Sequence, residues 1–380
     1  MDAVEVAFWC SAFLISYTVL GYPLLALLLG TIWRRDPERA ELTPTMTLII
    51  AAYNEEDAIA EKIEQSLALD YPEEKLEILV ADDGSTDRTT ELVRSFADRG
   101  VRLHRCEGRV GKTATLNEAV SVANGEILVF SDATTVYGQG SLRELAANFA
   151  DPSVGCVSGR VAYHYGEDVA SSGFRVYQHL AVAVRRAEGR FGSTTSVSGA
   201  IHALRRELFR PAAPEFTADL SNPLHTVVQG RRVIYENSAV GLERSRTRFR
   251  DEYRARVRNG VLHNSMIRYI VKELIASRRF AYLFQMVSHK FLRWWLGPLL
   301  VLALLANLVL ISHGTLYAAL AVVQLALLIV GAIAVATEGS ETRIPGASSL
   351  GFFLVGNAGM CVGMLRWLRG GGLKTWEPIR

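Results

Sequence analysis

With 380 residues, 49% of them hydrophobic and 21% charged, the chain has a mean hydropathy of +0.17, high for a soluble protein. That length holds one domain of about 200–250 residues plus membrane segments. A net charge of only +2 gives no electrostatic reason to hold a polyanion, so nucleic acid is not an expected partner. Cys10, Cys106, Cys156 and Cys361 lie far apart without CxxC or other ligand spacing. This argues against a structural zinc or a disulfide framework and for a reduced compartment around the soluble part.

Val4 to Trp33 is an apolar run long enough to cross a ~30 Å hydrocarbon core. Asp2 and Glu5 stand where a signal peptide would be basic, and no small-residue cleavage site follows. Residues 1–42 are therefore expected to be a membrane helix and a linker, and Arg34-Arg35 put the following chain in the cytoplasm. Residues 43–260 are expected to form one domain. Met46 to Ala51 reads as a strand, Glu56 to Leu69 as a helix with Ile59, Ile63 and Leu67 on one side, and Leu76 to Ala81 as a second strand. A helix over Asp87 to Asp98 follows, with Thr86 or Asp87 as its cap, then a short strand over Val101 to His104. Lys112 to Ala123 reads as a helix, Glu126 to Ser131 as a strand, Leu220 to Val228 as a helix, and Gly230 to Glu236 as another strand. This alternation predicts an α/β fold with a mainly parallel, Rossmann-like sheet.

Residues 261–293 are expected to be amphipathic interfacial helices, because Phe280 to Phe291 mixes aromatics with His289 and Lys290. Trp294 to Ser312, Thr315 to Ala336 and the glycine-rich Ser349 to Trp367 are expected as two or three spans within a C-terminal region, 294–380. Three crossings from the cytoplasm would leave the basic tail (Arg366, Arg369, Lys374, Arg380) outside. Two arrangements restore it to the inside: the third segment does not fully cross, or Phe280 to Phe291 takes part in the membrane.

Three apolar runs end in acidic loops: Ala52-Tyr53-Asn54-Glu55, Asp82-Asp83-Gly84-Ser85 and Asp132-Ala133-Thr134-Thr135. Ligands of open α/β sheets bind outside the carboxyl ends of the strands. A lone Asp132 would read as a helix cap or Asx-turn; three acidic strand ends in order point instead to a charged, metal-bridged ligand. A nucleotide diphosphate leaving group needs its charge neutralised, usually by a divalent metal on a carboxylate, and Mg2+ or Mn2+ takes oxygen ligands.

Residue for residue this pattern resembles the family 2 glycosyltransferases, membrane-associated inverting enzymes of GT-A fold that use nucleotide sugars. The resemblance implies a metal at Asp132, with Thr134 where the family has a second acidic residue. It implies donor contacts from Ala52, Tyr53, Glu55, Asp83 with Asp82 beside it, and Lys112 of the basic loop Arg109 to Lys112. Ser198 and Gly199, in Ser196-Val197-Ser198-Gly199-Ala200, correspond to the acceptor side. In Glu215-Phe216-Thr217-Ala218-Asp219, Asp219 takes the place of the general base, while Ala218 replaces the acidic residue before it; the plainer reading of Asp219 is a cap for the helix after it. Tyr253-Arg254-Ala255-Arg256-Val257 stands where processive members carry Gln-x-x-Arg-Trp, which keeps Arg256 for the diphosphate, puts Tyr253 on the acceptor side and lacks the stacking Trp.

The expected function is transfer of a sugar from a nucleotide-diphosphate donor, a UDP-sugar, to a lipid-linked or growing saccharide acceptor. The enzyme would be integral to a bacterial-type inner or plasma membrane, in contact with its lipid bilayer, with the catalytic domain cytoplasmic. Two alternatives stand beside it: a processive polysaccharide synthase, and a catalytically impaired membrane partner that keeps the nucleotide site.

Overall fold

The computed structural model describes residues 2–164, 169–244, 248–338 and 346–371; the basic tail beyond Gly371 lies outside them. The N-terminal apolar run is α1 (Ala3–Ser16) and α2 (Tyr22–Ile32), joined by a π-helical turn over Tyr17–Gly21. The domain follows as β1 (Met46–Ala52), α3 (Ile59–Leu67), β2 (Leu76–Asp82), α4 (Thr89–Arg94), β3 (Val101–Arg105), α5 (Lys112–Val122) and β4 (Ile127–Asp132). It continues through β5 (Val136–Tyr137), α6 (Ser141–Ala147), β6 (Val154–His164), α7 (Val169–Phe191), β7 (Ile201–Arg205), α8 (Ala218–Val228) and β8 (Arg232–Arg244).

β1 is buried at every residue but Ala51. A strand covered on both faces has no polar side, so it reads as a continuous apolar run. It pairs in parallel with β2 and β4, which puts Ala52 beside Asp82 and Ala51 beside Asp132. β3 adds in parallel outside β2. The eight strands run in the order β3-β2-β1-β4-β7-β6-β8-β5. β6 and β8 are parallel, whereas β7 is antiparallel to β4 and β6, and β5 is antiparallel to β8. The sheet is thus mainly parallel, as expected, with antiparallel exceptions in its second half.

Two helices are shorter than the apolar periodicity predicted. The amides of Glu55 and Glu56 bond to Thr89 Oγ1 and Asp87 Oδ2, and Asn54 takes a left-handed φ of 52°. These contacts hold the loop in place of a first helical turn, and α3 starts only at Ile59. α4 starts at Thr89, whose amide bonds to Asp87 Oδ1 at 3.0 Å, and it ends at Arg94.

Beyond the sheet come α9 (Phe249–Ala276), α10 (Phe280–Gln285), α11 (Leu292–Trp294), α12 (Leu296–Leu310), α13 (Thr315–Ala336) and α14 (Ala347–Leu368). The division expected at residue 260 falls inside α9, whose buried side runs on through Val257, Val261, Met266, Ile270 and Leu274. One face of the sheet packs Leu48, Ile50 and Val129 against Ile59 and Ile63 of α3 and Leu142 and Leu145 of α6. The other packs Ile49, Leu79 and Leu128 against α5, α8 and α9, with Tyr282, Met286 and Trp294. Phe280 to Phe291 is two-sided: Tyr282, Met286 and His289 are buried on the domain, and Phe280, Phe284 and Val287 face outward.

Among the described residues, four helical segments are long and apolar enough to cross a membrane: Ala3–Ile32, Leu296–His313, Thr315–Ala336 and Ala347–Leu368. The last differs from the others in its partner. A Cβ on Gly363 would lie 2.3 Å from Val257 O, and one on Gly359 would lie 2.9 Å from Tyr253 O. The small residues of α14 therefore let it approach α9 backbone to backbone, and Met360 joins the core beneath the sheet. Gly363→Ala forces these two helices apart, an overpacking that typically costs about 1–3 kcal/mol. The melting temperature in detergent is expected to fall by several degrees; an unchanged melt would refute this helix contact.

Candidate active site

The ends of β1, β2 and β4 meet as their register requires. Asp83 N donates to Ala52 O at 3.0 Å. Asp82 and Asp83 are adjacent on extended chain and point to opposite sides. Asp82 is fully buried: Oδ1 accepts from Ser85 N and Oγ at 2.9 and 2.6 Å, and Oδ2 accepts from Thr90 Oγ1 at 2.6 Å. Arg105 Nε stands 3.4 Å from it. Both Asp82 oxygens are thus engaged, Oδ1 by the Ser85 turn and Oδ2 by Thr90 of α4. Asp83 points the other way. Its Oδ1 accepts from Val110 N at 2.7 Å, Gly111 N at 2.8 Å and Thr115 Oγ1 at 3.1 Å. One carboxylate oxygen thereby folds the basic loop onto the start of α5. Gly84 makes room for that loop: its φ is +72°, and a Cβ there would lie 2.4 Å from Gly108 O.

On the β1 side, Asn54 Oδ1 accepts from Thr86 N at 2.8 Å and its amide donates to Ser85 Oγ at 2.9 Å. Tyr53 lies under the Arg109 guanidinium, 4.1 Å from ring centroid to charge, a stacked cation–π pair. Glu55 is fixed through its backbone amide by Thr89.

Lys112, the first residue of α5, pairs its Nζ with Asp132 Oδ1 at the tip of β4. Thr134 is exposed, whereas Thr135 is buried and donates from Oγ1 to Glu243 Oε1 at 2.7 Å. Behind the loop, the buried Lys62 donates from Nζ to Thr135 O at 2.5 Å and lies 4.2 Å over the Tyr137 ring. Burial pushes Lys62 down to about 7, against the pull of Asp132 and Glu243. Asp132 and Thr134 offer oxygen donors at one strand tip, and Lys112 already seats a positive charge on Asp132. These residues fit a hard divalent cation of the Mg2+ or Mn2+ type.

The downstream half is drawn in by α8. The helix starts at Ala218, so Asp219 lies inside its first turn and is not its cap. Pro223 has no N–H for the carbonyl four residues back, and Asp219 O accepts instead from Val197 N at 3.1 Å. This ties the acceptor-side segment to α8. Ser198 N donates to Ser158 Oγ at 3.0 Å, and Ser198 O lies 2.7 Å from His202 Nδ1. A Cβ on Gly199 would meet nothing within 4 Å, so the space there is open. His202 is buried and stacked on Phe130 at 4.7 Å, with its Nε2 3.0 Å from Asn222 Nδ2. Burial pushes His202 down to about 4, with Asp219 and Asp132 pulling upward and Lys112 downward. His202 thus bridges the two halves, stacked on Phe130 of β4 and linked to α8 through Asn222.

A second imidazole, His263 of α9, stacks on Trp294 at 4.6 Å. Burial holds it near 4 as well, opposed by Asp219 and aided by Lys290, Arg256 and Arg258. Lys290 Nζ donates to Ser196 Oγ at 2.7 Å. Arg256 pairs with Glu252 within α9 and packs its Cβ against Gly359 of α14. Tyr253, one turn earlier, also abuts α14; among the described residues no hydrogen bond or ring contact links it to the strand ends. Lys62 and His202 contact predicted residues without having been singled out from sequence, and Lys290, noted there only for the interfacial helix, reaches Ser196. Only Lys62 had a signal, as a lysine three residues after Ile59 on the apolar side of α3.

Residues 47–211 match the family model described as Glycosyl transferase family 2. This segment is a family 2 glycosyltransferase domain. A poly-beta-1,6-N-acetyl-D-glucosamine synthase of Staphylococcus aureus is 26% identical over 203 residues, covering 51% of this chain and 48% of that relative. A beta-monoglucosyldiacylglycerol synthase of Nostoc sp. is 28% identical over 165 residues, covering 42% of this chain and 35% of that one. In these two alignments the chain spans about half or less of the relatives' length. Among solved structures, a mannosyltransferase of Pyrobaculum calidifontis in complex with GDP-Man and Mn2+ superposes with a TM-score of 0.67 at 24% identity, over 94% of this chain and 98% of that one. The glycosyltransferase domain therefore has the GT-A fold, with helices able to span a membrane on either side of it.

Proposed function

We propose that the protein is an inverting membrane glycosyltransferase that moves a sugar from a UDP-sugar to a lipid-linked or saccharide acceptor on the cytoplasmic side of the bilayer. The observation that supports this reading is that Asp83 and the Lys112–Asp132 pair stand at the carboxyl ends of β2 and β4, while the segment leading to Asp219 is held to α5 through Thr113 and Phe216 O and α8 reaches His202 through Asn222. In this reading Asp83 and the loop it folds hold the nucleotide, with Tyr53 and Arg109 beside it. Lys112 and Asp132 lie at the diphosphate, and Mg2+ or Mn2+, when bound there, supplies positive charge to the leaving group. Asp219 takes the proton of the acceptor hydroxyl as that oxygen attacks the anomeric carbon. The bond to the diphosphate breaks on the opposite face, which inverts the centre. A neutral His202 leaves Asp219 without a competing charged imidazole.

Relatedness to a poly-N-acetylglucosamine synthase favours a second reading, repeated addition to a growing chain, and the length of the product separates the two. The impaired-partner reading is tested together with the main one. Purified protein given UDP-sugars and membrane lipid is expected to release UDP with a metal present. Asp83→Ala is expected to raise the donor KM with kcat much less affected, because its role is in binding. No UDP release with any sugar nucleotide, or equal nucleotide affinity in Asp83→Ala by calorimetry, would overturn the assignment.

A further inference from the structure

A second group of ligand-type side chains lies beside α5, outside the strand-end cleft. His104 and Cys106 are two apart on extended chain and so project to the same side; Glu118 faces them from α5. An imidazole nitrogen, a sulfur and a carboxylate oxygen come within 4.8 Å of one another. His104 Nε2 stands 3.0 Å from Glu118 Oε2, and Cys106 Sγ stands 3.4 Å from the same oxygen. Zinc bonds of about 2.3 Å to sulfur and about 2.0–2.1 Å to nitrogen and oxygen place neighbouring ligands roughly 3.3–3.6 Å apart in a tetrahedron. Two of the three edges already stand near that spacing, and the third, from His104 to Cys106, lies within 4.8 Å. Glu118 is exposed and His104 partly so, which leaves an entry from solvent, while Cys106 is buried at the base. Mixed nitrogen, sulfur and oxygen donors suit zinc-class ions, whereas Mg2+ prefers oxygen alone.

This cluster is connected to the nucleotide side. Cys106 Sγ lies 3.5 Å from Thr115 Oγ1, and that hydroxyl has two acceptors in reach, Asp83 Oδ1 and Gly111 O, each at 3.1 Å. We propose that His104, Cys106 and Glu118 form a site for a zinc-class divalent ion, and that filling it weakens nucleotide capture by drawing the Thr115 hydroxyl off Asp83. The second half rests on the reading of Asp83 as the nucleotide-holding residue. Binding replaces the thiol proton, which leaves to solvent. The resulting thiolate is an acceptor only and competes with Asp83 for the Thr115 proton.

Full-length protein in detergent, with excess Mg2+ present, is titrated with Co2+ as a spectroscopic substitute. One equivalent is expected to give a sulfur-to-cobalt charge-transfer band that Cys106→Ser abolishes. His104→Gln and Glu118→Gln, both at the solvent side and needing no repacking, should each weaken it at least about tenfold. A folded wild-type protein without the band, or a band indifferent to His104→Gln, overturns the site and leaves an ordinary His–Glu pair. Zn2+ is then expected to raise the Kd for UDP in the wild type and not in His104→Gln; an equal Kd with and without Zn2+ overturns the link to Asp83. The cobalt band does not depend on sugar transfer, so its loss and a failure of the glycosyltransferase reading are distinguishable.

Discussion

Asp219→Asn is expected to lower kcat by about 10²–10⁴-fold, the usual contribution of a general base, while UDP affinity stays close to wild type. The asparagine keeps the shape of the side chain and the helix start. What it removes is the capacity to accept a proton. The position of residue 219 does not depend on its own carboxylate: its carbonyl is tied to Val197 because Pro223 cannot bond to it. Among the described residues no side chain hydrogen-bonds to that carboxylate, and the two nearest imidazoles are poor substitutes. His202 has both ring nitrogens engaged, by Ser198 O and Asn222 Nδ2, and His263 is stacked on Trp294 with its Nδ1 buried. Glu215 is the other acidic candidate, four residues earlier, and it lines a separate cavity of about 230 Å3 with Val261, Ser265 and Trp367. Glu215→Gln should therefore transfer sugar at the wild-type rate. A folded Asp219→Asn protein with near-native kcat would remove the base from this position.

The parts of the fold legible in the sequence were those in which one element carries its own pattern. β1, β2 and β4 are buried on both faces and read as apolar runs; α13 was placed to the residue because its 22 residues carry no charge and start after Gly314. Elements whose bounds depend on partners were less legible. α3 begins late because Thr89 and Asp87, thirty residues on, hold the amides of Glu55 and Glu56. The glycines of α14 suit close helix packing, yet the partner is α9, a helix with a polar sequence, as no local pattern can reveal.

The candidate site divides in the same way. Strand tips announced Asp83 and Asp132, because an acidic residue after an apolar run stands out. Asp82 stood out equally, and only Ser85, Thr90 and Arg105 show that it faces inward. His202 sits within the strand residues Ile201 to Leu204, and its importance lies in what surrounds it: Phe130, Asn222 and the charges of Asp132 and Asp219. The same holds for Cys106, whose spacing from the other cysteines predicted no metal. Its partners are a histidine two residues before and a glutamate on the next helix.

Asp132→Ala is expected to abolish metal-stimulated transfer, with metal affinity falling by at least about 10²-fold. Replacing a residue that merely supports a metal ligand typically costs about 10–100-fold in affinity or activity, and Asp132 is proposed as the ligand itself. Thr134 cannot compensate, since a neutral hydroxyl brings no charge to the ion. The substitution also leaves Lys112 without the carboxylate that now holds it. Its ammonium can then turn to the diphosphate, so nucleotide affinity without metal should be retained or rise while turnover falls. That opposite movement separates a metal ligand from a residue that only shapes the loop, because loss of loop structure would weaken both. Thr134→Asp supplies a second carboxylate at the same strand tip and should keep activity with metal bound more tightly. Mn2+ titration of turnover, with UDP affinity measured in chelator, reads both variants against the wild type. Wild-type turnover by Asp132→Ala in excess chelator would show that the leaving group is neutralised elsewhere, with Lys112, released from its pair, the first candidate.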